Sequence, residues 1–565
     1  MPDSPNKLSQ FWQELKRRRV IHVIVVYASA SFVIIELVTN VYETLQLPDW
    51  TPTLVLLLLV IGFPIAIIFS WIFDITPKGI RKTKPIKLAK EQRVNYPLSD
   101  KISRFENSIA VLPFQDMSPL KDQEYFCDGM TEEIINVLTH VESLKVIART
   151  SSFAYKDKHK DVREIGKKLD VENLLEGSIQ KEGNRLRITA QLIKVSDGSH
   201  LWSERFDRDL SDLFAIQDEI SLAIVEALKV RLLKKEEVVM KKRHTENVGS
   251  YESFMMGQYF FGRWEFEKAL HHLNQAVDKD QNLALAYAAI AEIYWLSGTT
   301  GIDINPEDAL IKAQDAIESA LRIDDKLAES HVASGLINLY FNRNLTAAER
   351  DFKKAEELNP NSPKVHHGWT DYYMIMGQVD KALEKALKAI ELDPMFLEYM
   401  HHVSGFYCAL GQYEDAMKLI EKAKKLDPDN IYTYTMISLY HGYQGNYREI
   451  IDITQKALEM GLIDRIQLLF RLGHWYGLSG EGQKARHILN EMLELKKQKY
   501  ISSTYIAFIY TGLGEKDTAF NWLNRAYYEK DPILIAIKLY HEIYIAPIRS
   551  DPRFNTLLIK LGLPE

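Results

Sequence analysis

Three pairs of adjacent histidines are the chemical groups that stand out in this 565-residue chain: His271/His272, His366/His367 and His401/His402. Neighbouring residues on a helix point about 100° apart, so the two rings of one pair do not chelate a single ion. Four acidic residues, Asp116, Asp122, Glu124 and Asp128, gather in one stretch, but their spacing fits no EF-hand loop and reads as a solvated acidic loop. The two cysteines, Cys127 and Cys408, exclude a disulfide scaffold and any multi-cysteine zinc or iron–sulfur centre. Cys127 has no base beside it in sequence, so a nucleophilic role is not indicated. Phosphate-loop, dinucleotide-loop, His-Glu-x-x-His and Gly-x-Ser-x-Gly patterns are missing. The expectation is a protein without catalytic residues, cofactor or resident metal.

The histidines lie in a half of the chain that repeats. Asn359-Pro360, Asp393-Pro394 and Asp427-Pro428 recur at 34 residues, as do Gly377, Gly411 and Gly445, and Gly480 and Gly514 continue the series within one residue. A 34-residue period with small residues at fixed points resembles the tetratricopeptide repeat (TPR), which implies paired helices stacking into a superhelix with a concave groove. In that frame Ala348, Ala382 and Ala416, with Ala355, Ala389 and Ala423, let the two helices of a unit approach closely. Tyr373 and Tyr407 fill the space between units, and Pro394 and Pro428 end second helices. About eight units are expected, beginning near residues 250, 284, 329, 363, 397, 431, 466 and 500. The array runs over 249–534, and 535–565 form a closing helical segment. Ile450 stands where neighbouring units have Ala, which predicts looser packing in the sixth unit. His367 and His401, near one repeat length apart, become candidate groove contacts together with Asp371 and Tyr432; the plainer alternative is ordinary helix-surface histidine.

Ahead of the repeats, residues 106–235 alternate short apolar runs with amphipathic stretches in the order β-α-β-α-β-β-β-α, a small α/β domain with a mixed sheet. Asn173–Gln180 and Arg185–Lys194 read as a hairpin turned at Glu182-Gly183-Asn184. The blocks Ser108–Phe114, Ile147–Phe153, Leu174–Ile179, Arg187–Ile193 and Leu201–Asp207 resemble the TolB amino-terminal-like domain. That resemblance implies a partnership with tetratricopeptide repeats and kinship with cyclase-associated chains, here without a cyclase domain.

The first hundred residues carry the hydropathy signal. Val20–Val41 and Thr53–Phe73 contain no Lys or Arg, and as helices each rises roughly 30 Å, about the hydrocarbon thickness of a bilayer. They predict two transmembrane helices, at 20–41 and 53–73, joined by a short external loop at 42–52. A basic amino terminus (1–19) and a basic Pro-containing linker (74–105) flank them. The positive-inside rule then puts both ends of the chain in the cytoplasm, with the bilayer contacted through residues 20–73 of an inner-membrane, multi-pass protein. Glu36, within the first span, is a candidate buried carboxyl. Residues 1–93 carry a surplus of positive charge while the whole chain is at −7, so the body beyond them is acidic, which argues against nucleic acid as a partner.

The sequence thus predicts a multidomain chain of two transmembrane α-helices, a small α/β domain and an all-α TPR superhelix. The expected function is a membrane-anchored, non-enzymatic adaptor that takes a protein or peptide in the TPR groove, with homo-oligomerisation open. The alternative is a sensory or regulatory subunit of a cyclase- or transcription-linked system. Polar stretches such as Lys234–Val248 are expected to act as spacers between autonomous modules.

Overall fold

The structure, a computed structural model, describes residues 107–564 except 159–160, 301–303, 462–464 and 539–541. Nearer the amino end it describes 27, 30–32, 34–38, 40, 48, 50–76 and 79–82, with backbone only from 65. The chain divides into two compact units, Met1–Ile102 and Ser103–Glu565.

In the first unit a helix, Thr51–Ile72, leads into an antiparallel pair, β1 (Phe73–Thr76) and β2 (Gly79–Lys82), where the sequence reading placed a linker. Tyr27 donates its hydroxyl to Leu59 O at 2.9 Å, and Glu36 is exposed. Among the described residues no helix is long and apolar enough to cross a membrane. Side chains of Thr51–Ile72 are described only over 51–64, a rise of about 21 Å against roughly 30 Å of hydrocarbon. Most of 20–41 lies outside the described residues. The fold expected with two transmembrane helices, the bilayer contact through 20–73 and the multi-pass inner-membrane location are corrected accordingly.

The second unit is a mostly helical, TPR-like superhelix with a small α/β region. Strands β3 (Asn107–Val111), β4 (Gln115–Asp116), β5 (Leu144–Val146), β6 (Asn173–Glu182), β7 (Arg185–Lys194) and β8 (His200–Asp209) form one mixed sheet in the order β5-β3-β6-β7-β8, with β4 beside β6. β3 runs parallel to β5 and β6, which requires crossovers, and helices Glu124–Thr139 and Val162–Leu169 supply them. β6 and β7 pair antiparallel from Asn173↔Lys194 to Glu182↔Arg185, and the turn between them holds Gly183 at φ +59°. Inward residues of the sheet, among them Ile109, Val111, Leu175, Ile188 and Leu192, pack on Phe126, Met130 and Ile134 of the first crossover helix and on Ile220 and Ile224 of helix Leu213–Ala227.

Eight helix pairs follow among the described residues, from Val248–Phe261 with Phe266–Lys279 to Ser503–Gly512 with Lys516–Tyr528. The turns inside the last five pairs carry Gly377, Gly411, Gly445, Gly480 and Gly514, with φ between +71° and +87°. Only glycine adopts that conformation without strain, which is why the period shows in the sequence. Ala348, Ala355, Ala382, Ala389, Ala416 and Ala423 are all buried, at most 1% exposed, where the two helices of a pair meet. Tyr407 is buried, and half-buried Tyr373 stacks on Trp369 at 5.3 Å. Pro394 is half-buried and Pro428 exposed. In the sixth unit Ile450 is fully buried, while residues 437–443 of the first helix stay half-exposed.

Two features depart from independent modules in series. Apolar contact is continuous from the sheet into the repeats, one cluster running from Ile109 to Ile337. Within it Gly129 faces Met255 so closely that a β-carbon there would lie 2.4 Å from the Met255 sulfur. The stretch read as a spacer contains a helix, Lys234–Met240, whose Glu236 accepts from Glu142 N at 2.9 Å and from Leu233 N at 2.6 Å. The array is also tied back on itself, from its third unit to its eighth. Arg343 takes the turn position that glycine holds in later units, at φ +51°, and donates to Tyr527 O (3.2 Å) and Asp531 O (3.0 Å) of the eighth pair.

Candidate functional site

The candidate residues converge on the first helices of two successive units. Helix Pro363–Ile375 begins with proline at its first turn, where no amide hydrogen is needed, and carries His367 and Asp371 one turn apart on one face. Helix Leu397–Ala409 of the next unit carries Glu398, His401 and His402. His367 Nε2 lies 3.8 Å from Asp371 Oδ1 and 3.9 Å from Glu398 Oε1, and has no hydrogen-bond partner among the described residues. Its ring centroid is 5.1 Å from that of His402 and 5.2 Å from Tyr399. Tyr340, from the third unit, donates its hydroxyl to Asp371 Oδ2 at 2.9 Å. His401 turns the other way, 5.8 Å from Tyr432 of the sixth unit.

The site is buried, not a washed helix surface. Asp371, His401 and His402 are 3%, 2% and 8% exposed, and Tyr432 is half-buried. Burial pushes the Asp371 carboxyl up to about 7, against the pull of the Tyr340 hydroxyl. Glu398 is raised by burial too, opposed by His367 and the Tyr432 hydroxyl. Burial, with Arg471 adding repulsion, lowers His401 to about 3, and burial holds His402 far below the usual imidazole range. The result is a set of neutral imidazoles and reluctant carboxylates, able to donate, accept or ligate.

Two open clefts flank this cluster. One, about 340 Å³ with open solvent included, lies among Glu292, Trp295, Glu329, Leu336 and Lys364, where Lys364 pairs with Glu292 at 2.8 Å. The other, about 360 Å³ on the same measure, reaches the cluster itself and is lined by Met374, His401, His402, Gly405, Leu439 and Tyr443.

Sequence spacing alone linked His367 to His401; the structure brings His367 to His402 instead. Glu398 and Tyr340 went unnoticed, and His402 was named only as one of an adjacent pair. The usable signal was the pair of four-residue spacings, His367/Asp371 and Glu398/His402, each placing two donors on one helix face. The other histidines are spent elsewhere: His366 Nε2 meets Pro360 O at 2.8 Å, and His272 stacks on Phe260 at 5.3 Å. In the acidic stretch, Lys156 bridges Glu124 and Asp128 at 2.6 Å each. The Cys127 and Cys408 thiols are buried and pushed up by that burial, Cys408 to about 12, so neither is an activated nucleophile.

Comparison with known proteins adds three findings. The family model for the second domain of HilA/YgeH-like transcriptional regulators matches residues 105–223. This, not a TolB match, is what falls on the α/β region, and the expected TolB-like resemblance has no support from it. A putative adenylate cyclase 3 of Rhizobium meliloti is 35% identical over 285 residues, 50% of this chain and 46% of that protein. The transcriptional regulator HilA of Salmonella typhimurium is 23% identical over 232 residues, 40% of each chain. The matched stretches therefore span less than half the length of these relatives. Among solved structures, a tetratricopeptide repeat protein from Parabacteroides merdae superposes at a TM-score of 0.32 with 14% identity, covering 48% of this chain and 98% of that one. IFIT1, in a monomeric mutant form, gives 0.39 with 16% identity, covering 59% and 80%. The repeat assignment rests on this chain's own helix pairs and left-handed glycines, not on these low scores.

Proposed function

We propose that this chain is a non-enzymatic regulatory adaptor whose repeat array takes a segment of a partner protein along its concave side. The observation that carries this reading is the pair of clefts on either side of the buried histidine–carboxylate cluster. The first has Trp295, Val332 and Leu336 beside the charged Glu292, Glu329 and Lys364, and the second is lined by apolar and aromatic side chains with His401 and His402, a make-up that suits an apolar peptide segment with polar anchors. The α/β region, sharing a core with the first units, would hold the array in one curvature, so that little ordering cost falls on binding.

Gly405 offers a clean test. A β-carbon added there has Leu439 Cδ1 as its near neighbour, at 3.6 Å, so Gly405→Leu enters the second cleft with no backbone atom in the way of its β-carbon. A photo-crosslinking residue at Tyr443 of the full chain should capture a defined partner, and Gly405→Leu should abolish that capture while leaving the melting temperature within a few degrees. Unchanged capture in Gly405→Leu would overturn the groove as the binding surface.

A second reading, favoured by the names of the relatives, makes the chain a subunit of a cyclase- or transcription-linked system. Its discriminating outcome is the identity of the captured protein: a cyclase or a transcription regulator supports it. Turnover of nucleoside triphosphate by the purified chain would refute the non-enzymatic reading.

A further inference from the structure

One atom of each of His367, Asp371 and His402 lies within 4.8 Å of the others. The three come from two neighbouring first helices, so their separation is fixed by unit packing and not by a loop. A tetrahedral zinc site has metal–nitrogen and metal–oxygen bonds of about 2.0–2.2 Å, which places donors roughly 3.5 Å apart. Closing the set by about 1 Å is within reach of side-chain torsions alone.

The surroundings have the form of a supporting shell. The Tyr340 hydroxyl fixes Oδ2 of Asp371 at 2.9 Å and leaves Oδ1 turned to His367; ligating carboxylates are commonly braced in this way. Glu398, 3.9 Å from His367 Nε2 and one turn before His402, places a second carboxylate at the edge of the set. Buried Asp371 and half-buried Glu398, both within 4 Å of the His367 ring nitrogen, set two carboxyl groups beside the imidazoles, a donor arrangement that a cation satisfies. The His367 side chain is 16% exposed, which leaves a way in. Two imidazoles and one carboxylate suit zinc, cobalt or nickel better than magnesium or calcium, which prefer oxygen throughout.

We propose that His367, Asp371 and His402 bind one divalent transition-metal ion of the zinc class, stapling the fourth unit to the fifth. This proposal stands independently of partner capture.

The full chain, stripped with chelator and dialysed, is titrated with Co(II) followed by absorption, and with Zn(II) by calorimetry. One equivalent should bind, with an intense ligand-field spectrum of low coordination number. His367→Ala and His402→Ala should lose that binding, whereas His401→Ala, next in sequence but outside the set, should keep it. Tyr340→Phe, which removes only the brace, should weaken affinity by about tenfold or more. Zinc should raise the melting temperature of the wild-type chain and leave that of His402→Ala unmoved. If a histidine variant fails to fold, Asp371→Asn and Tyr340→Phe, which keep side-chain size, decide the matter by the same titrations. Absence of saturable one-equivalent binding, or equal affinity in the His367→Ala/His402→Ala double variant, would overturn the site and leave a hydrogen-bonded polar core.

Discussion

Three turns of the array share one sequence motif, and two of them do something the third does not. At Asn359-Pro360 and Asp393-Pro394 the polar residue is buried at 3% exposure against the α/β region, whereas Asp427 is exposed. Asn359 Nδ2 donates to Thr139 Oγ1 and Asn361 Nδ2 to Val141 O, both at 3.0 Å. Asp393 Oδ1 accepts from Ser151 N at 2.9 Å and from the Ser151 hydroxyl, and Ala148 N donates to Leu392 O at 2.9 Å. Asp427 turns its carboxylate back on its own loop, accepting from Asp429 N at 3.2 Å. The motif ends a helix in all three places, but what packs against it decides whether it also fastens two folds together.

The largest effect tests whether the fastened halves behave as one body. Ala382→Arg forces a charge between the helices of the fourth unit, where the alanine is fully buried, and should cost more than about 3 kcal/mol. If the shared core and the docked turns couple the halves, amide exchange at Ala110 and Val111 in β3 should speed up together with exchange in the repeats. Unchanged protection in β3 would break the comparison.

Next in size, Asp393→Ala strands the buried Ser151 donors and should cost about 2–3 kcal/mol by denaturant unfolding, against less than about 1 kcal/mol for Asp427→Ala. Equal costs would mean that docking adds nothing to the turn. Asn361→Ala, which leaves the Val141 carbonyl without that donor, should fall between, at about 1–2 kcal/mol.

The smallest effect is one of pH. Burial pushes the Asp393 carboxyl from 3.8 up to about 6, opposed by its bonds to Ser151 and Thr150. A carboxyl that titrates higher folded than unfolded binds more protons in the folded state, so its contribution is present at low pH and lost as pH rises from about 4 to about 6. Asp393→Asn should flatten the decline of stability over that window, and Asp427→Asn should leave it unchanged. An unaltered slope in Asp393→Asn would show that the turn opens to water.

The repeats and the β6–β7 hairpin were legible because their geometry leaves marks: glycine where φ is positive, alanine where helices touch, Gly183-Asn184 where two strands reverse. The docked turns were not legible. Asn359, Asp393 and Asp427 satisfy the same local rule, and only the tertiary neighbour separates them. For the same reason Lys234–Val248 read as a spacer, since a helix held by Glu236 through backbone amides shows no apolar period. The histidine cluster was half legible. A search for identical repeat positions found His401, but packing between units brings the residue one further along, His402, to His367.

A solenoid whose repeats hold only their neighbours stretches and recoils like a spring. Arg343, beside an apolar cluster that joins the same parts of the chain, works against that compliance here. With its guanidinium on the Tyr527 and Asp531 carbonyls, a pull on the array between the third and eighth units loads those two bonds along with the apolar cluster beside them. The tie also counts. An extra unit between residues 343 and 527 would carry both carbonyls out of reach, and a deletion would overshoot them. The number of repeats in this stretch is therefore a closed dimension of the fold, set by Arg343 together with the apolar cluster that joins the third and fourth units to Leu534–Lys538, as a clasp sets the length of a bracelet.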